Sequence, residues 1–233
     1  MKAKNSIIIT ITLISALLLT ACSPATQKET KTIQNKTTST QKETKNILLN
    51  NKYIPLTNNM QTQLEKPKKG DKIAIIQTDE GTIKIKLFTE QAPETTTNFI
   101  KLTEQGKYIN VPFHRVVKNF VIQSGDFENK NGTGGYSYKG KGTTINDEVV
   151  STLHHLYGAV AMAKTIAPNS AGSQFYIVTA ETGTPMLDGN YSVFGQVYEG
   201  IEVAKKIESY EIDNTQKPSK TINIKSITIK TQE

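Results

Sequence analysis

Phe113-His-Arg-Val-Val-Lys-Asn-Phe-Val-Ile-Gln-Ser-Gly-Asp126 is the stretch on which the reading of this chain turns. Valine, isoleucine and phenylalanine dominate residues 115–122, and such a run predicts a β-strand. Adjacent residues on a strand point to opposite faces, so Arg115 and His114 part company. By alternation against their neighbours Phe113 and Phe175 belong to the core, and His114 reads as a structural histidine rather than a proton-transfer group. Upstream, residues 72–78 and 82–87 flank Asp79-Glu-Gly81 as a hairpin. Residues 92–106 open with Pro and Glu and end on Gly, the marks of a capped helix. Downstream, residues 158–163, 174–179, 193–197 and 221–230 read as strands, and 201–207 as a second helix. Many short strands with two helices at separate points favour an antiparallel barrel or sandwich capped by helices over a parallel sheet.

With 233 residues, 36% of them hydrophobic and 21% charged, the chain can hold one domain with a substantial core plus appendages. Its single cysteine, Cys22, closes no intrachain disulfide, and with only three histidines a Cys-based zinc cage is excluded, so no metal is expected. The formal charge of +7 is unevenly spread: +2 over residues 1–21, +6 over 22–70 and −1 over 71–233. A basic tail beside a neutral domain suits attraction to an anionic surface, not a groove for nucleic acid.

Lys2 and Lys4 precede an apolar run from Ile7 to Leu19, the pattern of a signal peptide. Thirteen helical residues reach only about 20 Å, short of a bilayer's hydrocarbon core. The run ends in Leu19-Thr-Ala-Cys22, which resembles the lipobox of bacterial lipoproteins. That resemblance implies cleavage before Cys22 and lipidation of its sulfur, placing the protein on the extracytoplasmic face of a cell membrane; two acyl chains suffice for stable anchoring. Residues 23–46 hold no aromatic side chain and only Ala25 and Ile33 as apolar ones, too few to order a segment. The expected organisation is a signal over 1–21, a lipidated Cys22 with a disordered, flexible tether over 22–70, and a folded domain over 71–233. Residues 47–66 are richer in Ile, Leu and Tyr, enough to dock on the domain or form a short helix.

The stretch quoted first then joins four others: Gly132-Thr-Gly-Gly135, Gly158-Ala-Val-Ala-Met-Ala163, Asn169-Ser-Ala-Gly-Ser-Gln-Phe-Tyr-Ile177 and Leu187-Asp-Gly-Asn-Tyr-Ser-Val-Phe-Gly195. In this order the five blocks resemble the cyclophilins, peptidyl-prolyl cis-trans isomerases, over roughly 71–231. The resemblance implies a mainly β fold, a closed eight-stranded antiparallel barrel capped by two α-helices, with a peptide groove on its outer face and no cofactor. With the export signal it makes proline-containing unfolded or exported polypeptides the expected partners, and a monomer is expected. It also implies that Arg115 is the catalytic donor, that Phe120, Val121, Tyr176 and Leu187 form the proline pocket, that Gln123 holds the substrate backbone, and that Ala163, Gln174 and Tyr191 complete the groove.

The chemistry supports such a role for an arginine. An X-Pro bond rotates slowly because of a barrier of about 18–20 kcal/mol, while its isomers differ by only about 1 kcal/mol. In the twisted amide the prolyl nitrogen regains its lone pair and accepts a hydrogen bond, so one fixed cation in a dry groove favours that state over either planar one. Arginine is always charged and directional. Against the family pattern, Val121 stands where Met is usual and Tyr176 where Phe is usual, which predicts a shallower pocket carrying a hydroxyl. Met186 stands in place of a common Trp and Tyr191 in place of a common His, which predicts weak cyclosporin binding. Residues 164–167 run one longer than the common spacing and leave the backbone partners there unassigned. The residues leave one alternative open, a peptide-binding chaperone or adhesin-like surface module with little turnover.

Other motifs have plainer readings. The Gly132–Gly135 run lacks the Lys-Ser/Thr ending of a phosphate loop and reads as a turn. His154 and His155 are adjacent, and a strand would send them to opposite faces, away from a shared metal. No Gly-x-Ser-x-Gly elbow is present for a serine hydrolase.

Overall fold

A computed structural model describes residues 46–49 and 52–233; the signal, Cys22 and most of the expected tether lie outside the described residues. In chain order the elements are β1 (Asn46–Leu49), β2 (Lys52–Pro55), α1 (Asn58–Leu64), β3 (Lys72–Thr78), β4 (Gly81–Leu87), α2 (Pro93–Glu104), β5 (Val111–Pro112), β6 (Arg115–Val117), β7 (Val121–Ser124), β8 (Ala159–Met162), β9 (Phe175–Val178), β10 (Val193–Glu199), α3 (Ile201–Ser209) and β11 (Asn223–Thr231). Strands β1 and β2 pair with each other, and the other nine form one curled antiparallel sheet in the order β5-β11-β3-β4-β10-β8-β9-β7-β6. The mainly β architecture and the helices at 93–104 and 201–209 match the sequence reading, with nine strands in place of eight and α1 as a third helix. The two end strands, β5 and β6, share no ladder; Phe113 N–H to Ile222 O and Val116 N–H to Gln216 O carry the chain between them.

The period of two in β4 shows how sequence becomes core. Ile83 and Ile85 are fully buried while Lys84 between them turns out to pair with Glu199. Helix α2 lays Phe99 and Leu102 onto the same interior, and the Phe99 ring lies 5.2–5.4 Å from the rings of Tyr108, Phe175 and Phe194. Its free N-terminal amides are satisfied from elsewhere in the chain: the Glu148 carboxylate accepts from Glu94 N at 3.0 Å and Thr95 N at 2.6 Å. Gly200 leads into α3 with φ +87°, and a Cβ there would sit 2.1 Å from Thr82 O, so only glycine fits.

Two expectations change. The single strand read over 115–122 is a hairpin, β6 and β7, because Asn119 takes φ +53° and Phe120 N–H closes on Val117 O at 3.1 Å. Asparagine tolerates the left-handed conformation, which β-propensity alone does not register. The second change lies in the segment assigned to the tether. There α1, capped by Thr57, is the short helix that the composition of residues 47–66 allows, and it buries Met60 and Gln63 against the sheet ahead of the boundary drawn at 71.

Candidate active site

The hairpin sets the register of the site. Arg115 on β6 faces Gln123 on β7, Gln123 faces Tyr176 on β9, and Tyr176 faces Ala161 on β8. These residues form one row on the outer face of the sheet, while Val116, Ile122, Phe175 and Ile177, one residue out of phase, fill the interior. Tyr176 and Ala161 of this row belong to a second, smaller apolar cluster with Phe88, Val121, Ala159 and Val178 among others. A cavity of about 200 Å³ opens above it, lined by Arg115, Phe120, Val121, Gln123, Ala163, Lys164, Tyr176, Leu187 and Tyr191. All but one of the residues implied for the groove thus converge. Gln174 lines an adjoining cavity of about 240 Å³ with the 132–135 loop.

Arg115 is held by neutral groups. Its Nε donates to Gln216 Oε1 at 2.7 Å and Nη1 donates to Gln123 Oε1 at 3.2 Å. Gln123 Nε2 donates to Gln174 Oε1 at 2.9 Å, and Gln174 Nε2 donates to the carbonyls of Gly132 and Gly134 at 3.0 and 2.8 Å. Among the described residues no carboxylate pairs with Arg115, so its charge faces the apolar cavity undiminished. An amide acceptor fixes direction without cancelling charge.

The loop at the end of this chain of amides is built on a buried carboxylate. Asp126 Oδ1 accepts from the backbone N–H groups of Glu128 and Asn129, and Oδ2 from those of Asn131, Gly132 and Gly134, at 2.8–3.2 Å. Burial works against the charge, but these amides outweigh it and hold the Asp126 carboxyl below its ordinary value. The Gly132–Gly135 run is therefore a turn, as its sequence predicts, wrapped on a side chain of the protein. Gly132 also lies against His114, which is buried with neither ring nitrogen partnered. Burial lowers the pKa of that imidazole, and its unpartnered nitrogens depart from the satisfied structural histidine expected there.

The floor of the cavity corrects two expectations. The Tyr176 hydroxyl does not face the pocket; it meets His155 Nε2 at 3.0 Å in the buried interior. Nor do the two histidines point apart, for they lie outside any strand and both reach Asp188: His155 Nδ1 to Oδ1 at 2.7 Å and His154 Nδ1 to Oδ2 at 3.0 Å. A carboxylate only accepts, so each Nδ1 carries a proton, and the far side of the His155 ring is hydrogen-bonded to the tyrosine hydroxyl. Burial disfavours the Asp188 charge, yet the bonds from His155 and His154 hold its carboxyl low; burial first, and then the nearby Tyr191 and Asp188, push the Tyr176 phenol up.

A family model described as cyclophilin type peptidyl-prolyl cis-trans isomerase/CLD matches residues 73–229. The chain belongs to this family. This cyclophilin is 39% identical over 149 residues to peptidyl-prolyl cis-trans isomerase ppi1 of Schizosaccharomyces pombe, a match covering 64% of this chain and 93% of the relative. It is 36% identical to CYP18-2 of Arabidopsis thaliana, covering 64% and 88%. With peptidyl-prolyl cis-trans isomerase 9 of S. pombe it shares 39% identity over 77% of its own length but spans only 29% of that longer protein. Among solved structures, the cyclophilin type peptidyl-prolyl cis-trans isomerase of Cryptosporidium parvum superposes with a TM-score of 0.65 at 34% identity, covering 70% of this chain and 99% of that one. The same C. parvum protein, crystallised in the presence of the dipeptide Ala-Pro, gives 0.64 at 35% identity over 69% and 99%.

Four residues of the site carry no clear sign in the sequence of this cyclophilin. Gln216, at φ +65° and 101 residues from Arg115, orients the guanidinium. Lys164 lines the pocket while paired with Asp147 at 3.2 Å. His155 and Asp188 hold Tyr176 from behind. Only the register and the loop crossings bring these groups together.

Proposed function

We propose that this enzyme isomerises X-Pro bonds in the cavity beneath Arg115. The proline ring enters the slot made by Phe120, Val121, Tyr176 and Leu187, with Ala163 and Tyr191 at its sides. As the amide twists, its nitrogen becomes pyramidal and basic. The Arg115 guanidinium donates to that lone pair, and no covalent bond forms or breaks. Gln123 retains one amide N–H for a substrate carbonyl, and Gln174, next to it, borders the space for the preceding residue. The observation that carries this reading is Arg115 held by Gln216 and Gln123 at the rim of an apolar cavity without a counter-charge. The Ala-Pro dipeptide named for the C. parvum structure accords with a proline-containing substrate.

The substrates we propose are exported polypeptides, whose X-Pro bonds must sort over tens of seconds as they fold. Lipid on Cys22 would hold the enzyme at the outer side of a membrane, a reading supported by the basic start, the short apolar run and the single cysteine at its end. Isomerisation of a proline tetrapeptide tests the site: Arg115→Ala lowers kcat/KM more than about tenfold, or about 1.4 kcal/mol of barrier stabilisation. Wild type and variant turning over equally slowly would favour the peptide-binding module instead. For the anchor, Cys22→Ser releases the protein from the membrane fraction; a variant that stays bound refutes lipidation.

A further inference from the structure

We infer that Gln63, on the helix ahead of the matched family region, is a positioning residue for the floor of the proline pocket, acting through His155 on Tyr176. This rests on the reading of the pocket given above. Gln63 is buried, with 2% of its surface exposed, and both ends of its amide are engaged. Its Oε1 accepts from His154 N–H at 2.9 Å, and its Nε2 donates to His154 O at 2.7 Å and to Gln196 Oε1 at 3.1 Å. Gln196 in turn donates to Tyr157 O at 2.8 Å. The side chain thus pairs with the His154 backbone as a neighbouring strand would, in a stretch that no strand of the sheet pairs.

The next residue carries the effect to the site. The His155 imidazole is 1% exposed, its ring lies 6.0 Å from the Tyr176 ring and 17° from parallel to it, and its Nε2 shares a hydrogen bond with the tyrosine hydroxyl. Tyr191, another wall of the cavity, packs edge-on to both rings at 6.4 and 6.0 Å. Helix α1 is tied down independently, for the buried Lys86 Nζ donates to Thr62 O at 3.3 Å and Glu65 O at 2.8 Å at its C-terminal end. Hydrogen bonds on either side of the His154–His155 peptide link therefore connect a helix before residue 71 to the pocket floor. A site holds its geometry only as well as the groups behind it are held.

The test uses the full chain and a proline tetrapeptide. Gln63→Met keeps the volume and removes the clamp; KM rises about threefold or more with kcat little changed. In a Tyr176→Phe background, where the hydroxyl link to His155 is gone, Gln63→Met moves KM no further. Met60→Ala, which loosens the same helix without touching the clamp, lowers the unfolding temperature and leaves KM alone. Should Gln63→Met fail to fold, Gln63→Asn, which stays polar but is one methylene too short to reach the His154 backbone, replaces it with the same expectation in both backgrounds. Equal KM effects with and without the Tyr176 hydroxyl, an unmoved KM in Gln63→Met, or a KM that follows stability in Met60→Ala would each overturn the inference. Arg115→Ala, measured alongside, reports on the pocket reading separately.

Discussion

Replacing Asp126 by Asn removes one charge and one acceptor while changing shape hardly at all. Its carboxylate accepts five backbone N–H groups, two on Oδ1 and three on Oδ2. An asparagine has one carbonyl oxygen. In its better orientation that oxygen keeps the amides of Asn131, Gly132 and Gly134, and the NH₂ is turned against Glu128 and Asn129. A hydrogen bond to a charged group contributes about 1.5–3 kcal/mol, so two lost bonds amount to about 3–6 kcal/mol before the loop relaxes. The three that survive lose the charge that made them strong. Relaxation lets the two abandoned amides, on the exposed side of the loop, find water, which brings the expected loss to about 3–5 kcal/mol. Function follows, because the carbonyls of Gly132 and Gly134 orient Gln174, which orients Gln123, which orients Arg115. We expect kcat/KM for a proline tetrapeptide to fall about tenfold in the variant that remains folded. Urea unfolding and the isomerisation assay on the same preparation read both quantities. Because the Asp126 carboxyl lies below its ordinary 3.8 in the folded state, its contribution is complete above that pH and fades as acid protonates it, and the Asn variant should lack this part of the acid response. An Asp126→Asn protein within about 1 kcal/mol of wild type, with unchanged kcat/KM, would refute both the cradle and the relay to the arginine.

Further outcomes follow from other contacts. Tyr176→Phe restores the side chain usual in the family, yet it should destabilise this chain by about 1–3 kcal/mol, since it leaves the buried His155 Nε2 without its hydrogen-bond partner; thermal unfolding measures it. Glu80, bound by Lys206, Lys220 and Tyr210, has its carboxyl lowered from 4.5 to about 2. Its stabilisation is therefore complete above about pH 4.5 and is lost as pH falls toward 2, so Glu80→Gln should flatten an acid unfolding curve in that window. Gly125→Ala would place a Cβ 2.5 Å from Ser173 O at φ +95°, and a loss of about 2 kcal/mol or more should appear in urea unfolding.

The sequence made the sheet and the main walls of the site legible for a physical reason. Alternation in residues 82–87 and the apolar runs at 158–163 and 174–179 are local patterns, and burying one face suffices to express them. Where a single residue decides the path the pattern misleads: Asn119 divides what looks like one strand into the hairpin that puts Arg115 opposite Gln123. Contacts across long separations were out of reach altogether. Gln216 meets Arg115, and Gln63 meets His154, only because the fold brings the loop between α3 and β11, and helix α1, to places that no spacing encodes. His154 and His155 looked divergent under a strand's geometry, and they converge because that stretch is not a strand. The hydroxyl of Tyr176 was evident, but its direction was set by a histidine whose position was not.

The amides around Arg115 have a bearing on where such an enzyme can work. A guanidinium fixed by an acid would feel every change in proton or salt concentration that titrates or shields its partner. Carboxamides have no such dependence. With Gln216 and Gln123 as its immediate partners, the guanidinium has no adjoining acid among the described residues whose titration or shielding would turn it aside, and the one carboxylate in the relay, Asp126, stands two side chains away.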